Sequence, residues 1–154
     1  MKKWEMSVLL FALTFTFILG GCGMKQQETG MKDGSYTAQM AVYSYGWREY
    51  VTITVRNGEI VTTEYNAENP SGFIKSWDNA YMNNMRPVTG TYPNEYTRYY
   101  AAQLTRQTSV PEIETLTGAT SSEANFRLLA QAVVEQAIKG DSTVAIVEAL
   151  AAEE

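Results

Sequence analysis

The residues whose types and spacing suit them to chemistry form one run, Leu116-Thr117-Gly118-Ala119-Thr120-Ser121-Ser122, at the mouth of a long apolar-periodic segment. Small residues feeding a helix start leave backbone N–H groups pointing outward, an arrangement that receives a phosphate. Thr120 is the hydroxyl at the end of the turn, and two readings explain it. In the first, Thr120-Ser121-Ser122-Glu123 is a capping box, with Thr120 at the N-cap and Glu123 at N3, stabilising the helix by about 1 kcal/mol. In the second, the hydroxyl is presented to a ligand. The two are compatible, because a position that caps a helix already presents an oxygen there.

What the chain lacks narrows the chemistry. It has no histidine, which excludes a Ser-His-Asp triad, a histidine base and every histidine-ligated metal or haem site. Its one cysteine is Cys22. Redox chemistry would therefore require an organic cofactor.

Residues 1–21 read as a secretory signal. Lys2 and Lys3 form a basic start, Ser7 to Gly20 an apolar core, and Gly20-Gly21 a small-residue close. The core is too short for a comfortable membrane span. Leu19-Gly20-Gly21-Cys22 resembles a bacterial lipobox, in which the cysteine is acylated, with palmitate an expected chain, and becomes the mature N-terminus. A lone free thiol outside the cell would be a liability, and acylation removes it. Removing residues 1–21 leaves 133 residues with 10 basic and 16 acidic side chains, a net charge of −6. Such a domain is a poor partner for nucleic acid or anionic headgroups, so an acyl chain rather than charge would hold it at the membrane.

Residues 22–32 are polar and read as a tether, and 33–147 as one domain with room for one core. Residues 148–154 form a tail. Strands are expected over Tyr36 to Tyr45, Tyr50 to Arg56 and Ile60 to Tyr65, the last two joined by an Asn57-Gly58 hairpin. In the middle strand Val51, Ile53 and Val55 share one face, and Thr52, Thr54 and Arg56 the other. Ile74, Trp77, Tyr81 and Met85 predict a helix stopped by Pro87. Pro93 opens a second helix that runs to Gln107 and carries Tyr96, Tyr99, Tyr100 and Leu104. Thr108 to Pro111 breaks it, and Ile113 to Leu116 is a short extended piece. A third helix carries Phe126, Leu129, Ala130, Val133, Val134, Ala137 and Ile138, with Lys139 in its last turn and Gly140 as its stop. Ser142 to Ala152 is a final strand, a short helix or both. The expected class is α+β: a small antiparallel sheet with helices packed on it.

The run Thr117-Gly118-Ala119-Thr120-Ser121-Ser122, closing a short strand and opening a helix, resembles the motif of the bacterial FMN-binding domain family. That family includes components of the sodium-pumping NADH:quinone reductase and of the Rnf complex, and single-domain membrane lipoproteins. Asp33-Gly34-Ser35-Tyr36-Thr37-Ala38, followed by an alternating strand and an Asn-Gly hairpin, resembles the family's opening. The resemblance spans Asp33 to about Val147. It implies that a flavin transferase esterifies FMN through its phosphate to Thr120, with Thr117, Gly118 and Ala119 as approach residues and Ser121 and Ser122 as the first helical turn. It implies further an electron carrier on the extracytoplasmic face, held by its lipid and served by a membrane electron donor. Glu114 stands where the family pattern has an aspartate, and Thr115 replaces the small residue after it. These departures leave open a flavin-free surface binding or interaction lipoprotein that keeps the fold.

The mature chain has ten tyrosines, together with Trp47, Trp77, Phe73 and Phe126. Trp47, Trp77, Tyr81 or Tyr100 would supply a flat wall for a flavin ring, whereas aromatics at helical spacing are ordinarily core. Arg48 and Arg86 are candidate phosphate contacts and, singly, ordinary surface charges.

Overall fold

The computed structural model describes residues 30–106 and 110–149. The signal, Cys22, most of the tether, the stretch 107–109 and the last five residues lie outside the described residues.

Four strands form one sheet in the order β3-β2-β1-β4. β1 (Gly34–Met40), β2 (Arg48–Arg56) and β3 (Glu59–Glu68) are antiparallel neighbours. Alternation sets the faces: Tyr36, Ala38, Met40, Val51, Ile53, Val55 and Tyr65 are buried. The opposite face carries polar cross-strand pairs, with Thr37 Oγ1 and Thr52 Oγ1 2.9 Å apart and Tyr50 Oη donating to Glu64 Oε1 at 2.7 Å. Asn57 (φ 54°) and Gly58 (φ 75°) both have positive φ at the β2–β3 turn, as a two-residue hairpin that follows strand twist requires.

Two helices cover the apolar face. α2 (Pro93–Arg106) lies over β3 and buries Tyr96, Tyr100 and Leu104 at four-residue spacing. α3 (Thr120–Lys139) lies over β1 and β2 and buries Phe126, Leu129, Ala130, Val133 and Ala137. Tyr65, Tyr96, Tyr100 and Phe126 meet beneath them, with ring centroids 4.8 Å apart for Tyr65–Phe126 and 5.4 Å for Tyr100–Phe126. Packing begins before Asp33: Met31 is buried in the core, and the Lys32 N–H donates to Ala137 O at 2.9 Å.

The last strand makes the sheet mixed. The Lys32–Ala137 bond sets the C-terminal end of α3 beside the start of β1, so α3 runs antiparallel to β1. Gly140 (φ 72°) then reverses the chain, and β4 (Ala145–Val147) returns parallel to β1, pairing Ala38 with Ala145.

The expected first strand stops at Met40 rather than Tyr45. Beyond it Ser44 and Trp47 exchange backbone bonds of 2.7 and 3.0 Å across Tyr45 (φ 50°) and Gly46 (φ 83°), a second tight turn. The expected helix from Ile74 divides into a 3₁₀ turn, Lys75–Trp77, and α1 (Asn79–Thr89), because Asp78 caps α1 by accepting the Tyr81 N–H at 2.9 Å. Pro87 does not stop α1. It lies in the last turn, where its missing N–H deprives only the exposed Asn83 carbonyl, and Gly90 (φ 78°) closes the helix. Ile113 to Leu116 pairs with no strand. A 3₁₀ turn, Val110–Glu112, precedes it, and the Gln103 amide takes the partner's place, accepting the Glu114 N–H at 2.6 Å and donating to Glu114 O at 3.1 Å.

Because Phe126 joins both helices to the sheet, Phe126→Ala is expected to cost about 3–5 kcal/mol, measured by urea unfolding.

Candidate functional site

A cleft of about 870 Å³ opens where the end of β1, the Ala41–Trp47 turn, α1 and the N-terminal end of α3 converge. Its volume is in the range of small-molecule sites. Gly118, Ala119, Thr120, Ser121 and Ser122 line one side. Tyr43, Tyr45, Trp47 and Tyr81 face them, with Met40 and Met85, and Glu49, Lys75, Tyr96 and Asn125 complete the lining. The sheet thus brings five of the six motif residues to one cavity; Thr117, exposed, stands outside it.

The capping box does not form. Ala119 is the N-cap, with no side-chain cap bond, and Thr120 is the first helical residue. The Glu123 N–H donates to Ala119 O at 2.9 Å, so Thr120 Oγ1 is not needed there. Glu123 instead takes Arg127, one turn on, and Arg127 also reaches the Ile113 carbonyl. Thr120 is left as an exposed hydroxyl at the amino end of a 20-residue helix, where the helix dipole favours negative charge.

Gly118 serves packing. Its φ is 85°, and a Cβ there would lie 2.0 Å from Thr89 O. The motif turn can therefore abut the end of α1 only because residue 118 has no side chain. The spacing of the run suggests backbone freedom for a phosphate; the observed close neighbour is the α1 carbonyl.

A buried polar cluster forms the floor. Glu49 is 8% exposed. Tyr65 Oη lies 3.0 Å from Glu49 Oε1 and 2.9 Å from Ser122 O, and Asn125 Nδ2 donates to Glu49 Oε2 at 2.6 Å. Tyr65 has one proton for two acceptors. A neutral Glu49 satisfies every atom: its O–H donates to Tyr65 Oη, whose own proton goes to the Ser122 carbonyl. Burial pushes the Glu49 carboxyl above its ordinary range, outweighing the bonds from Asn125 and Tyr65 and the nearby Lys75. Lys75 lies with its ammonium 4.9 Å from the centre of the Tyr81 ring. Burial pulls Lys75 down, and Tyr96, Tyr81 and Glu49 more than offset it, so its net shift is upward.

Among the expected aromatics, Trp47 and Tyr81 line the cleft in edge-to-face contact, centroids 6.2 Å apart. Tyr100 is fully buried in the core, and Trp77 is 65% exposed outside the cleft. Arg48 is turned to the outer sheet face, 2.8 Å from Glu68, and Arg86 lies over Tyr92. Glu114 stays outside the cleft, 3.5 Å from Tyr99 Oη. Sequence reasoning missed Tyr43, Tyr45, Glu49, Lys75 and Asn125. The available signal was Glu49, a carboxylate at an inward position of an otherwise apolar alternation. Among the described residues no group of three or more His, Cys, Asp or Glu side chains could hold a metal, and no helix is long and apolar enough to cross a membrane.

No protein-family model matches the chain. A 15 kDa lipoprotein of Treponema pallidum (strain Nichols) is 28% identical over 137 residues, covering 88% of this chain and 94% of its own. The crystal structure of the CPE2226 protein from Clostridium perfringens superposes with a TM-score of 0.74 at 32% identity, covering 78% of this chain and 99% of that one. A solution structure from Clostridium thermocellum is 27% identical over 74% of this chain, with a TM-score of 0.46.

Two outcomes are expected. Gly118→Ala meets both the left-handed backbone and the Thr89 carbonyl, so it should destabilise by about 1–3 kcal/mol or more, read by thermal unfolding. For Glu49 the folded state holds its proton more tightly than the unfolded chain. Stability therefore falls as pH rises from the ordinary glutamate value of about 4.5 towards the raised folded value. Glu49→Gln keeps a donor for Tyr65 and an acceptor for Asn125, and should remove that part of the pH dependence in paired melts.

Proposed function

This chain belongs to the family of the Clostridium perfringens CPE2226 protein, and we propose that it is a lipid-anchored, extracytoplasmic FMN-binding electron carrier. The observation that carries the reading is that the cleft gathers Gly118 to Ser122, the run that resembles the FMN-binding motif, opposite an aromatic wall. The residues suit the cofactor. Trp47, Tyr43 and Tyr81 offer flat apolar surface for its rings, and Thr120, Ser121 and Ser122 offer hydroxyls and helix-end amides for its phosphate. FMN supplies reversible one- and two-electron transfer when bound.

The chain's own part is to hold, screen and attach. Met40, Met85, Trp47 and Tyr81 give one part of the cleft an apolar lining. The exposed Thr120 hydroxyl, free of any capping bond, is accessible to a flavin transferase, which would take FMN from a flavin dinucleotide: the pyrophosphate bond breaks, the Thr120 oxygen gains the FMN phosphoryl group, and a nucleoside monophosphate and the hydroxyl proton leave. Under this reading the domain carries electrons between a membrane electron donor and an external acceptor, the role that the resemblance implies.

The anchor follows from the Leu19 to Cys22 run and from the lipoprotein relative. The described chain enters at Met31 beside the C-terminal end of α3, whereas the cleft lies at the N-terminal end. The 20 residues of α3 separate the two by about 30 Å at 1.5 Å per residue. The described chain therefore begins at the end of the domain opposite the cleft.

The test is the intact mass of the full chain produced with a flavin transferase and exported. A gain equal to FMN less one water, absent in Thr120→Ala, is expected. An unmodified chain that takes up no flavin on soaking would instead favour a flavin-free surface interaction lipoprotein.

A further inference from the structure

Lys75 is the one lysine or arginine that lines the cleft among the described residues. It is half-buried and makes no ion pair within 4 Å among the described residues, whereas Arg48, Arg127 and Lys139 each sit on a carboxylate. Its ammonium rests instead on the Tyr81 ring, 4.9 Å from the centroid, with a hydrogen bond to the Tyr96 hydroxyl and with Glu49 in electrostatic range. A ring face compensates a partly desolvated cation only in part. The one carboxyl inside the cleft, Glu49, is engaged by Tyr65 and Asn125. Ser122 lines the same cleft from α3, and its carbonyl is tied to Tyr65. The cleft thus holds a cation with no carboxylate in direct contact, together with the hydroxyls of the motif turn.

We propose that Lys75 is the anion-binding residue of the cleft: it receives the phosphate of the bound nucleotide and selects a phosphorylated ligand over its neutral analogue. The inference rests on the FMN reading and adds to it a residue from outside the motif. The nucleotide is thereby oriented, with its phosphate at Lys75 and the Thr120 to Ser122 turn and its rings towards Trp47 and Tyr43. A charge-assisted contact replaces an ammonium–ring contact, and it is available only to a ligand that carries a phosphate.

The experiment titrates FMN and riboflavin, which lacks the phosphate, into the full chain in detergent, produced without a flavin transferase. Flavin fluorescence is followed at constant salt. FMN is expected to bind about 10- to 100-fold more tightly than riboflavin, the worth of one hydrogen bond to a charged group. Lys75→Met should bring FMN to the riboflavin value and leave riboflavin unchanged, and Lys75→Arg should restore much of the preference. Equal binding of the two flavins by the unmodified chain would overturn the proposal without any variant. So would a Lys75→Met chain that keeps the full preference, or one that weakens both flavins alike. Failure of both flavins to bind the unmodified chain would overturn the FMN reading itself, and this inference with it.

Discussion

A single buried hydroxyl, that of Tyr65, joins the sheet to the site. It lies within hydrogen-bond distance of Glu49 on β2 and of the Ser122 carbonyl in the first turn of α3. A buried carboxyl needs partners, and the hydroxyl that supplies one for Glu49 also reaches the backbone of α3. The same ring packs against Phe126 in the core, and Asn125, its neighbour in sequence, closes the other side of Glu49. The height and rotation of α3 over the sheet are fixed by this group of contacts. The position of Thr120 follows, because it lies less than one turn before Ser122. Loss of the Tyr65 hydroxyl would take a partner from the buried Glu49 carboxyl and a tie between the sheet and the first turn of α3.

Most of the frame was legible in the sequence because local physics determines it. Strict alternation from Val51 to Val55, the Asn57-Gly58 turn, Pro93 at the start of α2 and Gly140 at the end of α3 each act within a few residues, and each appears where its pattern places it. The departures come where tertiary contacts decide. Thr120 and Glu123 have the spacing of a capping box, yet Ala119 takes the cap and Glu123 turns to Arg127, which also holds the Ile113 carbonyl. Pro87 has a breaker's chemistry, but it stands one turn from a helix end that was terminating at Gly90. Gly118 has a glycine's freedom, and the neighbour requiring it is Thr89, 29 positions earlier in the chain. The direction of β4 is set by the direction of α3, which no local pattern encodes.

The site divides the same way. Five residues of the Thr117 to Ser122 run share a cavity, and their neighbourhood in sequence is reason enough for that. Their partners come from β2, from the 3₁₀ turn at Lys75 and from α1, and only the fold brings these to α3. Glu49 and Lys75 look ordinary in the sequence, one charge in a strand and one in a loop. In the cleft they are a buried carboxyl and a half-buried ammonium that interact without direct contact, which gives the cavity a polar floor beneath aromatic walls. Helix α3 spans the domain between this cavity and the point where the described chain begins.

The most direct test of the central claim is where FMN binds. Backbone and indole N–H signals of the isotope-labelled full chain, followed by NMR as FMN is added, report this residue by residue. The largest shifts are expected on residues 40–49, 75–85 and 118–125 and on the Trp47 indole, where ring currents of a stacked flavin are felt. Shifts centred on the outer face of the sheet, around Thr37, Tyr50 and Thr52, or none at saturating FMN, would contradict that claim.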